Sequence, residues 1–196
     1  MLLGLDLAFV ATGWVVVDPR TFNLLGFGCI TTKKEQKRRG IRVADDDFRR
    51  CSDLARGLFQ VLEGYLVKGI VAEIPTGGAQ GARSNRAMGM ATGVLSAVVE
   101  AYKLPLEVYT PLEVKVAGGG DGRASKESVE VAMLAQWSGL SSFKPKGLRQ
   151  HVTDAAAVIL AARSGVLYRT LGGASEIALK GRKRGLKAVF SPALAL

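Results

Sequence analysis

The stretch LLGLDLAFVATGWVVV, residues 2–17, decides the fold. It predicts an apolar strand over Leu2–Phe9, a turn, and a second strand over Gly13–Val17. A third strand over Leu24–Thr32 follows an Asp-Pro turn, so the chain is expected to open with an antiparallel meander. Asp6 lies inside the first strand, where an unpaired buried carboxylate would be very costly. The strand pattern therefore requires a partner for Asp6.

Helices and strands alternate after the meander. Apolar residues at helical spacing predict a helix over Asp45–Lys68, and acids at its start complement the helix dipole. The further elements expected are strands at Gly69–Ile74 and Leu106–Tyr109, helices at Arg83–Tyr102, Ser125–Trp137 and Val152–Arg169, and loops at Lys33–Arg42, Pro75–Gln80, Ala117–Ser125 and Ser138–Gln150. This order predicts an α/β fold with a mixed five-stranded sheet flanked by helices.

Composition narrows the class of protein. The 196 residues are 48% hydrophobic, which excludes disorder over most of the length. A net charge of +10 indicates a polyanionic partner, either nucleic acid or an anionic membrane surface. Two cysteines without a CxxC motif, no signal peptide and no apolar run near membrane-span length favour a soluble, cytoplasmic protein. Six of the basic residues lie in 165–196, which predicts a basic tail over 170–196 behind a domain at 1–169.

Three acids stand at the ends of separate core elements. Asp6 is in the first strand, Glu73 ends the strand IVAE, and Asp154 is expected in the first turn of an apolar helix. His151 lies three residues before Asp154, on the same side of that helix. Oxygen ligands with at most one imidazole favour Mg²⁺ or Mn²⁺ over zinc. Such ions clamp a phosphodiester and activate water, so the residues point to a nuclease.

The order of these residues resembles a known family. Residues 4–14, GLDLAFVATGW, are similar to the first-strand motif of RuvC-type Holliday-junction resolvases, with matching residues at Gly4, Asp6, Thr12, Gly13 and Trp14. The strand ending in Glu73 resembles the one that bears the family's second carboxylate. Residues 114–126 resemble a segment with two DNA-contacting lysines around a glycine-rich loop. HVTDAAA, residues 151–157, resembles the final metal-binding helix.

The resemblance implies an RNase H-like fold and a homodimer that places paired, symmetric nicks across a four-way DNA junction. It implies two divalent ions per active site, held by Asp6, Glu73, His151 and Asp154. Lys115 and Lys126 would contact the scissile backbone or stabilise its transition-state charge. The DNA contacts predicted in all are Thr12, Arg83, Asn85, Lys115, Arg123 and Lys126.

Two features differ from the family or remain ambiguous. The family usually has an aromatic residue soon after the second carboxylate, whereas this chain has PTGGAQG at 75–81, so Arg83 or Asn85 is expected to probe the junction instead. Gly89 and Gly93 would let a second helix approach closely, either at a dimer interface or in ordinary packing on the sheet.

Other functions compete with the resolvase hypothesis. A sugar-kinase or actin-like ATPase would need two duplicated halves, for which the chain is too short. A non-catalytic junction-binding protein would not need the carboxylates. A related RNase H-like nuclease acting on RNA, on simple duplexes or on a broader range of branched DNA is compatible with the same site. Bacterial or phage origin, and any branch-migration or replication partner, stay open.

Overall fold

A computed structural model of the protein describes residues 1–35, 40–74 and 81–173. Its centre is one five-stranded sheet in the order β3-β2-β1-β4-β5. The strands are β1 (Leu2–Asp6), β2 (Ala11–Val17), β3 (Leu24–Thr31), β4 (Gly69–Glu73) and β5 (Leu106–Tyr109). The first three form the antiparallel meander, while β4 runs parallel to β1 and β5 parallel to β4. The predicted mixed five-stranded sheet is confirmed.

The described residues contain six α-helices. They are α1 (Val43–Tyr65), α2 (Ala82–Tyr102), α3 (Pro111–Gly119), α4 (Lys126–Gln136), α5 (Lys146–Ala162) and α6 (Val166–Leu171), with a short 3₁₀ helix at Ser138–Ser142. Two acids, Asp45 and Asp46, occupy the first turn of α1, as predicted. The hydroxyl of Ser125 accepts a hydrogen bond from the Ser128 N–H and caps α4, also as predicted.

The secondary structure predicted from the sequence was wrong in three places. Helix α3 was missed, although Thr110 and Glu113 form a capping box at its start and Pro111 occupies its first turn. The segment Ser138–Gln150 is not a loop, because it holds the 3₁₀ helix and the start of α5. The helix expected over Val152–Arg169 is two helices, and Asp154 therefore lies in the middle of α5 rather than in its first turn.

The break between α5 and α6 has a visible cause. The Glu107 carboxylate on β5 accepts a hydrogen bond from the Leu167 N–H at 2.8 Å, so it satisfies a donor at the start of α6. A Cβ at Gly165 would lie 2.4 Å from both this carboxylate and the Tyr109 hydroxyl. The Glu107 carboxylate and Gly165 thus favour the start of α6 as a separate helix.

The sheet separates two apolar cores. Leu3 and Leu5 on β1 point toward α1 and α2, while Leu2 points toward α5. This alternation is the period of a strand buried on both faces. Asp6 lies four residues after Leu2 on the same strand, so its side chain points to the same face of the sheet, toward α5.

The predicted tail lies mostly outside the described residues, which end at 173. The proposed boundary between 169 and 170 falls inside α6, and Leu167 and Leu171 of that helix lie 3.0 Å from the position a Cβ would take at Gly69. The last turn of α6 therefore packs on the sheet with the domain. None of the helices in the described ranges is long and apolar enough to cross a membrane.

Candidate active site

Five residues form one row across the sheet, each directly opposite the next. The strand register places Cys29 beside Gly13, Gly13 beside Asp6, Asp6 beside Glu73, and Glu73 beside Tyr109. Side chains opposite one another on adjacent strands project to the same face of a sheet. Asp6 and Glu73 are therefore neighbours on the α5 face, at the carboxyl ends of β1 and β4.

Two glycines let α5 approach the sheet at this row. A Cβ at Gly13 would lie 1.8 Å from the carbonyl oxygen of His151, and one at Gly4 would lie 2.8 Å from that of Ala155. Any larger residue at either position would push the helix away. The two glycines of the first-strand motif thus bring the polar side chains of α5 beside Asp6.

A cavity of about 460 Å³ opens above the row, and we call it the catalytic cavity. Six residues predicted to be catalytic line it together: Asp6, Glu73, Lys115, Lys126, His151 and Asp154. The carboxylates and the histidine come from β1, β4 and α5. The lysines come from α3 and from the start of α4, and both are exposed.

The carboxylates of the catalytic cavity repel one another. Burial, together with the charges of Asp6 and Asp154, raises the pKa of Glu73 to about 7. Burial and the charge of Asp6 raise the pKa of Asp154 to about 6. The positive charges of Lys115 and Lys126 lower the pKa of Glu73, but by less than burial and the neighbouring acids raise it. Burial and the neighbouring carboxylates therefore outweigh the lysine charges at Glu73 and Asp154.

Asp6 and His151 contact each other directly. The Nδ1 atom of His151 lies 2.8 Å from Oδ2 of Asp6, and this hydrogen bond raises the pKa of the imidazole. Asp154 accepts a longer hydrogen bond, at 3.5 Å, from the Gln150 amide one helical turn earlier. Gln150 also lines the cavity and was not predicted from the sequence, although its spacing of four residues from Asp154 places it on the same helix face.

The donor set of this cavity fits a hard divalent cation. Three carboxylates and one imidazole face one space, and oxygen-rich sets of this kind bind Mg²⁺ or Mn²⁺. The mutual repulsion of the acids adds a reason to bind a cation. As the side chains stand, no three histidine, cysteine, aspartate or glutamate residues in the described ranges form a ready-made ligand cluster. Asp6 is engaged by His151 instead.

The other predicted DNA contacts lie in different surroundings. Thr12 is fully buried, and its hydroxyl donates to the carbonyl of Ala8 at 2.6 Å, so it fixes the turn after β1 and does not present a surface for DNA. Arg123 is exposed in the loop between α3 and α4, directly before Ala124, which lines the catalytic cavity. Arg83 and Asn85 are exposed in the first turns of α2 and do not line the catalytic cavity.

The segment that takes the place of the family's aromatic residue lies mostly outside the described residues, because residues 75–80 fall in one of the gaps. The basic stretch at 33–42 is likewise described only at its two ends.

Comparison with known proteins gives a consistent result. The family model described as crossover junction endodeoxyribonuclease RuvC matches residues 2–162. The RuvC of Moorella thermoacetica is 29% identical over 160 residues, which cover 81% of this chain and 87% of that protein. The RuvC of Neisseria meningitidis serogroup A is 32% identical over 142 residues, 71% of this chain and 74% of the relative.

Solved structures show the same fold. The RuvC of Thermus thermophilus in complex with Holliday junction substrate superimposes with a TM-score of 0.65 at 20% identity, covering 84% of this chain and 95% of that one. A second structure of the Thermus thermophilus protein gives a TM-score of 0.61. The RNase H-like architecture expected from the sequence is thereby confirmed.

Proposed function

The chain belongs to the RuvC family of crossover junction endodeoxyribonucleases, and on this premise we propose that it resolves four-way DNA junctions by paired, symmetric hydrolysis of phosphodiester bonds. The observation that carries the proposal is the single cavity that gathers three carboxylates, one histidine and two lysines from β1, β4, α3, α4 and α5. The relative of the same fold that was solved with Holliday junction substrate supports the choice of substrate.

Membership of this nuclease family implies dependence on a divalent metal. In the proposal Asp6, Glu73, Asp154 and His151 hold the metal, as two Mg²⁺ or Mn²⁺ ions per active site. Such ions, when bound there, would supply Lewis-acid polarisation of the scissile phosphate and a lowered pKa of an attacking water. The three closely placed carboxylates are the feature that would attract them. Because Oδ2 of Asp6 contacts Nδ1 of His151, Asp6 would hold an ion with its other oxygen or after release of the imidazole.

The two lysines act on the DNA strand. Lys115 and Lys126 are exposed residues that line the catalytic cavity, and both lie close enough for their charges to lower the pKa of Glu73. A positive charge that is already in place stabilises the extra negative charge of the transition state without reorganisation. Arg123 extends the same basic edge, so it is proposed to contact the neighbouring backbone.

Symmetric nicks require two active sites, and we assign the second one to a homodimer. The surface of α2 is suited to close helix contact, because a Cβ at Gly89 or at Gly93 would meet no atom within 4 Å. Both glycines are exposed on that helix. Sedimentation at micromolar concentration is expected to give a dimer, and a Gly93→Arg variant, which places a bulky charge on this face, is expected to shift it toward monomer.

A cleavage assay tests the function. The protein is incubated with an end-labelled four-way junction and with a linear duplex of the same sequence, in Mg²⁺, in Mn²⁺ and in EDTA. We expect paired nicks in the junction only, with either metal and not in EDTA. Asp6→Asn should abolish them, whereas the matched control Asp18→Asn, at the opposite end of the sheet, should retain them.

Three outcomes would change the proposal. Junction binding without nicks in either metal would indicate a non-catalytic junction-binding protein. Equal nicking of the linear duplex would indicate a nuclease of broader specificity. Nicks that persist in Asp6→Asn would show that the catalytic cavity is not the active site.

A further inference from the structure

One buried charge has no role in the cleavage chemistry described so far. The side chain of Arg50, on α1, is only 2% exposed. A buried guanidinium is costly unless its donors are used. Its Nε donates to the hydroxyl of Thr32 at 3.0 Å, its Nη2 lies 3.5 Å from the carbonyl oxygen of Phe9, and its carbon Cζ lies 4.2 Å from the centre of the Phe9 ring. Arg50 is therefore committed to the residues around Phe9.

These contacts fix the turn that follows the catalytic strand. The Thr32 hydroxyl donates to the same Phe9 carbonyl at 2.5 Å, and the Thr32 N–H donates to the carbonyl of Val10 at 2.9 Å. On the other side of the turn Thr12 holds Ala8. The turn begins directly after Asp6, so its position sets where the end of β1 lies.

The same turn is the wall between two cavities. Ala8 lines the catalytic cavity. Phe9 and Val10 line a second cavity of about 710 Å³, which lies between the first turns of α1 and α2, and Arg50 lines it too. A change on the Arg50 side therefore reaches the Asp6 side through only two or three residues of backbone.

An ion pair extends these contacts to α2. The Asp47 carboxylate lies 3.9 Å from Arg50 and forms a 2.9 Å salt bridge with Arg86. Arg86 is 55% exposed, in the same first turns of α2 that carry Arg83 and Asn85, where DNA contacts are predicted. A continuous series of contacts thus connects the start of α2 with the turn after Asp6.

We infer that Arg50 is a positioning residue for junction cleavage, which holds the turn after Asp6 in the productive place and connects it, through Asp47 and Arg86, to the start of α2. The inference rests on the proposed function, because it assigns Arg50 to the placement of a proposed metal ligand. Misplacement of a reacting group by about 1 Å costs on the order of 10²-fold in rate. The effect of Arg50 is therefore expected in the cleavage step and not in junction affinity.

The test separates these two quantities. Arg50→Lys keeps the charge but loses the fork of donors, and Thr32→Val keeps the volume but loses the hydroxyl. For each variant, single-turnover cleavage of a four-way junction is measured in Mg²⁺, the junction Kd in EDTA, and the fraction folded at the assay temperature by circular dichroism. Arg50→Lys is expected to cleave about 10- to 100-fold more slowly, with its Kd within about threefold of wild type. Thr32→Val should show the same pattern with a smaller loss.

A matched control and a double-mutant cycle complete the experiment. Arg49, the residue before Arg50, is ion-paired with Asp46 and Asp53 and lines neither cavity, so Arg49→Lys should cleave at the wild-type rate. Asp47→Asn should slow cleavage, and its effect should not add to that of Arg50→Lys, because both remove one connection.

Each result has a separate meaning. A wild-type protein that makes no nicks would refute the proposed function itself. Nicking by wild type with an unchanged rate in folded Arg50→Lys and Thr32→Val would refute the positioning role alone. A loss confined to Kd would overturn it as well, because Arg50 would then act in DNA binding. If Arg50→Lys is unfolded, an unchanged rate in folded Thr32→Val still refutes the role.

Discussion

The catalytic cavity and the second cavity are both lined by charged side chains, but the aspartates of the second cavity are ion-paired with arginines, whereas the acids of the catalytic cavity repel one another. In the second cavity Asp46 is paired with Arg49 at 2.6 Å, and this hydrogen bond holds the pKa of Asp46 below its ordinary value. In the catalytic cavity burial and the charge of Asp6 raise the pKa of Asp154. The same residue type is thus neutralised by an arginine in one place and left without adequate compensation in the other.

This difference separates the structural charges from the functional ones. Ion pairs around the second cavity satisfy each other, so they favour the folded state or leave it unaffected. Like charges held together in the catalytic cavity oppose folding, and such a cost is typical of sites kept for chemistry. Replacing an acid by its amide should therefore have opposite consequences for stability in the two places.

Removing one acid of the catalytic cavity should have the largest effect. We expect Glu73→Gln to cleave a four-way junction about 10³-fold more slowly or worse, because an amide is a poorer metal ligand and carries no charge. Junction affinity in EDTA should stay the same or improve, since a negative charge facing the DNA is lost. Single-turnover cleavage and a binding titration measure the two effects. A cleavage rate within tenfold of wild type would remove Glu73 from the site.

The contact between α5 and the sheet should be the next most sensitive feature. Gly13→Ala would place a Cβ 1.8 Å from the His151 carbonyl, and we expect it to lower the free energy of unfolding by about 3 kcal/mol. It should also slow cleavage, because His151 and Asp154 move with the helix. The control Gly64→Ala, on α1 with open space around it, should raise stability by about 0.5 kcal/mol. Equal stability of the two variants in urea unfolding would contradict the close approach.

The sequence predicted the strands and the residue types of the site better than it predicted how they meet. The apolar runs and the lone carboxylates of Asp6 and Glu73 carry their own signal, because burial makes such charges exceptional. The direct contact of Gly13 with the backbone of α5 is a long-range steric relation across 138 residues, and no local pattern reveals it. Thr12 is a second example, because the sequence motif predicted a DNA contact and did not reveal that this residue is buried in the turn.

The missed elements have physical reasons as well. Helix α3 begins at Pro111 and ends in glycines, and the glycine-rich segment from Ala117 favoured a loop there, while the capping box that starts the helix was overlooked. Helix α5 begins at Lys146, six residues before the predicted start at Val152, because its first two residues are exposed and its first turn shows no apolar periodicity. The ion-paired surroundings of the second cavity had no sequence signature, since charges scattered along α1 are typical of any solvated helix.

The stability of the protein should depend on pH through the catalytic cavity. Glutamate and aspartate ordinarily titrate near 4.5 and 3.8, whereas in the folded protein Glu73 titrates at about 7 and Asp154 at about 6. Between these values the folded protein binds protons that the unfolded chain has released, so its stability falls as pH rises from about 4 to 7. The free energy of unfolding of Glu73→Gln should therefore exceed that of wild type by on the order of 1 kcal/mol at pH 8, after a discount for solvent screening. Near pH 4 the two free energies should be almost equal.

Thermal unfolding in EDTA between pH 4 and 8 measures this difference. A gain of 1 kcal/mol corresponds to a Tm increase of about 2–4 °C for a domain of this size. Saturating Mg²⁺ should raise the wild-type Tm more than that of Glu73→Gln, because the ion stabilises the folded state only where it binds. Parallel curves for the two proteins across the pH range would show that Glu73 is not held as an uncompensated acid.

The smallest effect is expected for the same chemical change among the paired charges of α1. The Asp53 carboxylate accepts hydrogen bonds from Arg49 at 2.7 Å and from Arg56 at 3.0 Å. Asp53→Asn should lower the free energy of unfolding by about 0.5–1 kcal/mol, because it removes two partly exposed ion pairs. The loss should disappear in about 1 M salt, where charges a few ångströms apart are screened.

Cleavage should stay at the wild-type rate, since Asp53 lines neither cavity. An acid-to-amide change that destabilises here and stabilises at Glu73 would show that the uncompensated charge itself, and not acidity in general, marks the active site. A tenfold loss of cleavage in Asp53→Asn would contradict that distinction.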